Sequence, residues 1–200
     1  SADLRDYGLK PISAHVDLPL GAAREGVLRV AETFGCTRIV WHGWPRDERY
    51  DTLDGLRSLA DDYNTAAAFA KENGLTFGLH NHWWEMQPVE GVVPFRYMLE
   101  HLDAGVFFEL DAYWAQVAGL DPLDVVRELG ARMPLLHIKD GPAERHQPMS
   151  PLGTGVMNIP GLLTAAGDNL EYVIVELDEC ATDMLDAVSD SRLYLVGLDL

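Results

Sequence analysis

Four short apolar runs in this 200-residue chain each end in residues that can hold a metal ion or move a proton. Gly78-Leu79 leads into His80, His82 and Glu85, and Phe107-Phe108 into Glu109 and Asp111. Leu135-Leu136 leads into His137, Lys139 and Asp140, and Val173-Ile174-Val175 into Glu176 and Asp178. Residues two apart on a strand point the same way, so each run presents a pair of these groups on one face and a single convergent cluster is feasible. Carboxylates mixed with imidazoles suit Mn²⁺, Co²⁺, Mg²⁺ or Zn²⁺. The set is too rich in nitrogen for a purely magnesium site and too rich in oxygen for a structural zinc site.

The segments that must position these groups alternate between strand-like and helix-like. Strands are expected over 11–16, 37–41, 75–80, 106–111, 133–138 and 172–177. Helices are expected over 21–34, 51–73, 94–101, 122–129 and 160–166, with a last one over roughly 182–196. Gly35, Gly74 and Gly130 read as helix stops, and Asp121 before Pro122 as an N-cap with proline at the first helical position. Strand and helix in alternation imply βα units and a parallel sheet, and strands that are almost wholly apolar fit burial on both faces. A doubly wound sheet is the rival. Polar residues at the C-terminal ends of successive strands favour a (β/α)8 TIM barrel with its site at that end. Only six strands are legible, where such a barrel has eight. Ser1–Arg5 reads as the tail of a helix, so the expectation is one TIM-barrel domain over residues 1–200 lacking its first two βα units. The long irregular stretch 140–158 is read as a functional loop.

Composition narrows the partners. The chain is 48% hydrophobic, enough for a sizeable core, and carries a formal net charge of −17. Such acidity with no basic patch disfavours a phosphate backbone as ligand. No apolar run approaches a membrane span and no signal peptide is evident. Cys36 and Cys180 form no CxxC and read as reduced thiols, which points to the cytoplasm.

The chain resembles the sugar phosphate isomerase/epimerase group of xylose isomerase-like TIM barrels, related to inosose dehydratase and the 3-keto-sugar epimerases and eliminases. The matching pieces are His80-Asn81-His82 with Glu85, Glu109-Leu110-Asp111-Ala112-Tyr113-Trp114 with Gly119-Leu120-Asp121-Pro122, His137-Ile138-Lys139-Asp140-Gly141, Gly153-Thr154-Gly155, and Val175-Glu176-Leu177-Asp178-Glu179; Ser13-Ala14-His15 fits more weakly. The resemblance implies a divalent cation, Mn²⁺ before Co²⁺, Mg²⁺ or Zn²⁺, held by His80, Asp111, His137 and Glu176. Many relatives carry Glu where His80 stands, so Glu85 is the alternative fourth ligand, and the paired glutamates of the epimerases are reduced to Glu176. His82 is then the expected general acid/base. Glu85, Lys139 and Glu176 join it as catalytic candidates, and His15, His42, Trp44 and Trp114 are the substrate-binding candidates. The implied chemistry is proton abstraction beside a metal-bound carbonyl of a keto sugar, through an enediolate, leading to isomerisation, epimerisation or elimination.

Plainer roles stand beside these. His15 and His42 sit at strand ends as core histidines also do, Glu109 is expected to pair with a basic group, and Lys139 with Asp140 fits a solvated loop pair. Gly153-Thr154-Gly155 reads as a flexible turn rather than a dinucleotide fingerprint. Two other functions compete: a sugar-binding or scaffold subunit completed by a partner, and a metal-dependent DNA repair endonuclease, which the acidity opposes. The expected partner is a small carbohydrate, with neither nucleic acid nor membrane, and homo-oligomerisation is left open.

Overall fold

A computed structural model describes residue 4 and residues 6–198. The expected helix tail at Ser1–Arg5 therefore lies outside the described residues apart from Leu4. Two compact units make up the chain: Ser1–His80 with Pro88–Phe107, and Asn81–Gln87 with Phe108–Leu200.

The first unit contains β1 (Ala14–Val16), α1 (Ala23–Phe34), β2 (Arg38–Trp41), α2 (Leu53–Glu72), β3 (Thr76–His80) and α3 (Pro94–His101). Its strands are parallel, with Val16 opposite Trp41 and Trp41 opposite Leu79. Ile39 and Val40 of the middle strand are wholly buried. Against the sheet α2 presents Leu56, Leu59, Tyr63, Ala66 and Ala70, a stripe at helical spacing. Thr52 caps α2 by accepting a hydrogen bond from Gly55 N at 3.0 Å. Gly78 is required in β3, because a Cβ there would lie 2.3 Å from the Phe107 ring.

The second unit contains β4 (Phe107–Asp111, all but its first residue), α4 (Ala112–Val117), α5 (Pro122–Leu129), β5 (Leu135–Ile138), α6 (Ile159–Ala166), β6 (Tyr172–Val175) and α7 (Met184–Val196). These strands are also parallel and follow chain order, with Asp111 opposite His137 and His137 opposite Ile174. Every residue of β4 and β5 is buried. The Asp121 carboxylate caps α5 through Leu123 N at 2.9 Å, as the sequence predicts.

The expected strands and helices are present, with shorter ends than the apolar runs. β1 begins at Ala14 rather than Pro11 and β6 stops at Val175 rather than Leu177. The helix α4 was not expected: its six residues are too few to display an apolar period, and it is started by Asp111, which accepts from Trp114 N at 3.0 Å.

The stretch 140–158 is organised from one point. Asp140 is 1% exposed, and its carboxylate accepts backbone N–H groups from Gly141, Gly153, Gly155 and Met157 at 2.8–3.1 Å. Added to Gly155, a Cβ would meet Asp140 Oδ1 at 2.2 Å. The glycines are therefore not a flexible turn; they let the backbone close on a buried carboxylate. Nor are Lys139 and Asp140 a solvated pair, since each is 1% exposed. Farther along, Leu152 N donates to Ser191 Oγ at 3.0 Å, and that hydroxyl donates to Ala187 O, which is a packing role for Ser191. Cys36 and Cys180 are free thiols. Among the described residues no helix is long and apolar enough to cross a membrane.

Candidate active site

Strand parity and register bring the acidic and basic side chains of the second unit together. Glu109 and Asp111 share one face of β4 and are wholly buried; His137 and Lys139 share the corresponding face at the end of β5, and Glu176 follows β6. Asp111, His137 and Glu176 each offer a donor atom within 4.8 Å of the others.

Ion pairs run through this group without a break. His137 Nε2 lies 3.0 Å from Glu109 Oε1, and Nδ1 lies 2.8 Å from Glu176 Oε2. Lys139 Nζ lies 2.9 Å from Asp111 Oδ2, 2.9 Å from Glu176 Oε2 and 2.7 Å from Asp178 Oδ2. Burial alone would drive protons off both cations, yet the facing carboxylates outweigh it. The His137 imidazole is raised to about 10 by Glu109 and Glu176. Lys139 is held protonated far above its ordinary range by Asp111, Glu176 and Asp178. Burial would raise Glu176, but His137 and Lys139 hold its carboxyl well below the usual carboxylate range.

The backbone of Asp111 is fixed separately. The side chain of Asn81, itself 8% exposed, accepts from Asp111 N at 2.8 Å and donates to Asp111 O at 3.1 Å. Next to it in sequence, His82 stacks on Trp84, with ring centroids 4.2 Å apart and planes 11° from parallel. His82 N donates to Glu85 Oε2 at 2.8 Å, and its Nδ1 lies 3.9 Å from Glu85 Oε1. The carboxylate of Glu85 is thus engaged with His82. Trp83 and Trp114 form an aromatic pair at 5.0 Å; Lys139 Nζ sits 5.5 Å from the Trp114 ring and the Arg145 guanidinium 4.3 Å from that of Trp83.

The remaining candidates lie in the first unit. His15 is the middle residue of β1, His42 follows the end of β2 and His80 ends β3, with His15 5.1 Å from His80 and 6.4 Å from His42 between ring centroids. His80 is 7% exposed. His42 accepts from Trp44 N at 3.0 Å and lies 3.8 Å from Asp17, while Trp44 is 56% exposed.

A family model described as xylose isomerase-like TIM barrel matches residues 22–187. The chain belongs to that family. Among solved structures it is similar to a sugar phosphate isomerase/epimerase from Parabacteroides distasonis (25% identity, TM-score 0.77), covering 96% of this chain and 72% of that one. It is also similar in fold to the 3-keto-D-glucoside 4-epimerase YcjR from E. coli (18%, 0.67; 98% and 82% covered). A third similar fold is an IolI protein with a bound zinc atom (16%, 0.69; 97% and 79% covered). No curated protein matches it significantly in sequence.

The donor set of this xylose isomerase-like chain fits a divalent cation. Two carboxylates and one imidazole converge on a buried patch, which is the mixture such ions accept, and the network leaves negative charge in excess there. Two features oppose it: the proton on His137, which must leave before the ring can ligate, and the Lys139 ammonium, which already sits 2.9 Å from Asp111 and Glu176.

Four contributors were not among the candidate site residues. Glu109 pairs with a basic group as expected, but that group is His137, so it belongs to the same network. Asp178 shares the parity of Glu176, a signal already visible in the sequence. Asn81 acts through its neighbour's backbone, and Asp140 through four backbone amides, neither of which leaves a spacing signature.

Proposed function

We propose that this chain is a divalent-metal-dependent isomerase or epimerase, or a related lyase, acting on a keto sugar or sugar-derived ketone. The observation that carries this reading is the convergence of donor atoms from Asp111, His137 and Glu176 within 4.8 Å of one another. These three hold the cation, and the sequence resemblance adds His80 as the fourth ligand. We favour Mn²⁺, because the set is weighted toward carboxylates. A bound divalent cation polarises a substrate carbonyl and acidifies the neighbouring C–H.

The protein's own residues do the rest. His82 takes and returns the proton, its ring steadied against Trp84 and oriented by Glu85. Lys139 holds the Asp111 and Glu176 carboxylates in place by ion pairs and keeps Glu176 ionised, and its charge stabilises negative charge developing on substrate oxygens. Trp114 gives an apolar face for sugar C–H groups. In the first unit His15, His42 and Trp44 are proposed as substrate contacts.

Isomerisation, epimerisation and elimination share the first proton abstraction, so the test reads that step. Deuterium uptake next to the carbonyl would be followed across a panel of keto sugars in D₂O, with metal content measured on the same samples. The wild type is expected to carry near-stoichiometric metal and to exchange at least one ketone, and His137→Ala to lose both. Unchanged exchange in His137→Ala, or a wild type that binds no metal after reconstitution, overturns the proposal.

A further inference from the structure

We propose that Glu109 is a positioning residue that fixes the tautomer and rotation of His137, so that Nε2–H is donated to Glu109 and Nδ1 is the nitrogen offered to a divalent cation beside Glu176. This rests on the metal reading above and adds to it a residue outside the ligand set proposed there.

The geometry is asymmetric in a way that decides between the two ring nitrogens. Nε2 faces Glu109 Oε1 at 3.0 Å, and Nδ1 faces Glu176 Oε2 at 2.8 Å. Only one nitrogen can ligate while the other keeps its proton. Glu109 stands two residues before Asp111 on β4, wholly buried, deeper in the strand than the donors at its end. Glu176 follows the last residue of β6 and keeps a third of its side chain exposed, so its carboxylate can be reached from solvent. Nδ1 therefore points to the accessible carboxylate and Nε2 to the inaccessible one. A ligating histidine ordinarily gives its second N–H to a carboxylate, which sets the ring's orientation and strengthens it as a donor. A buried glutamate two residues from a ligand, with no exposed edge of its own, is suited to that task.

The test uses Zn²⁺ as probe on the full chain. Long-range ¹H–¹⁵N correlations on the zinc-loaded wild type should assign His137 to the Nε2–H tautomer. Zinc affinity from chelator competition should fall roughly 10- to 100-fold in Glu109→Ala. In Glu109→Gln the amide oxygen can still accept from Nε2–H, so affinity should stay within several-fold of wild type, roughly the difference between a charged and a neutral acceptor. A purely structural Glu109 would lower the zinc-free melting temperature of both variants while the tautomer and the zinc affinity of the folded fraction stayed as in wild type, which overturns the proposal. Ligation through Nε2, or a Glu109→Ala affinity equal to wild type, overturns the proposal while zinc binding by the wild type and its loss in His137→Ala keep the metal reading intact. A wild type that binds no zinc removes the metal reading and this inference together.

Discussion

With the proposed ligand set, metal binding should release close to one proton at neutral pH, because the imidazole proposed to ligate is held as a cation. His137 lies between Glu109 and Glu176 and is raised to about 10, against about 6.5 for a free histidine. Below its pKa each unit of pH costs a competing metal about tenfold in affinity. Between pH 6.5 and 8.5 the apparent affinity for Mn²⁺ or Zn²⁺ should therefore rise roughly 100-fold, whereas an ordinary histidine would give about twofold. At pH 7.5 the same difference appears as about 1 proton released rather than about 0.1. Glu176 and Lys139 add nothing to this count, since the first is already ionised and the second stays protonated across the range. Titration calorimetry in buffers of different ionisation enthalpy counts the protons, and chelator competition at five pH values gives the slope. A release near 0.1 with an affinity that barely moves over those two units would refute the carboxylate–imidazolium–carboxylate arrangement.

Other consequences are open to simpler measurements. The folded pKa of His137 lies above its unfolded value, so its contribution to metal-free stability is full below about pH 6.5 and is lost as pH rises through about 10; urea midpoints should fall over that window and flatten in His137→Gln. Lys139→Met removes the cation that Asp111 and Glu176 face at 2.9 Å, and metal-free stability should drop by about 3–5 kcal/mol on urea denaturation. Asp140→Ala strands four backbone N–H groups, and hydrogen exchange at Gly153, Gly155 and Met157 should accelerate well before the strands open. Gly155→Ala, which forces a Cβ onto the Asp140 carboxylate, should cost about 1–3 kcal/mol in thermal or urea melts; a neutral result would mean that the loop is not closed on Asp140.

The sequence was legible where backbone periodicity governs. Apolar runs of four to six residues ending in charge predict β3, β4 and β5 to within about two residues, because strands buried on both faces leave no polar interruption. Parity then groups Glu109 with Asp111 and His137 with Lys139. Partner choice is not legible that way. That His137 faces Glu109 as well as Glu176 depends on register between β4 and β5, and nothing in either run fixes register before the strands pair. The role of Asp140 is hidden from the sequence for a related reason. Next to Lys139 it looks like half of a surface pair, and only the return of Gly153, Gly155 and Met157 to its carboxylate reveals a buried anchor. Contacts made through backbone amides carry no side-chain signature beyond the glycines that permit them.

On the proposed ligand set, charge accounting favours loss of a proton over displacement of the lysine when a metal binds. Glu109, Asp111, Glu176 and Asp178 bring four negative charges, and His137 and Lys139 return two, so the metal-free network carries a net charge of about −2. With the His137 proton gone the excess is about −3, of which a divalent ion offsets two charges, but the ion needs a ligand position at Asp111 and Glu176 where Lys139 already sits. Displacing Lys139 would require its deprotonation or its withdrawal from three carboxylates, and those carboxylates hold it protonated far above its ordinary range. His137 at about 10 yields first, and its loss of charge is made good by the incoming ion. Lys139 then remains in place, so the loaded network keeps a fixed cation beside the ligand carboxylates, and it is this charge that would face a substrate oxygen as it becomes negative. On this view the lysine does not substitute for the metal; it lets four carboxylates crowd one site in either state.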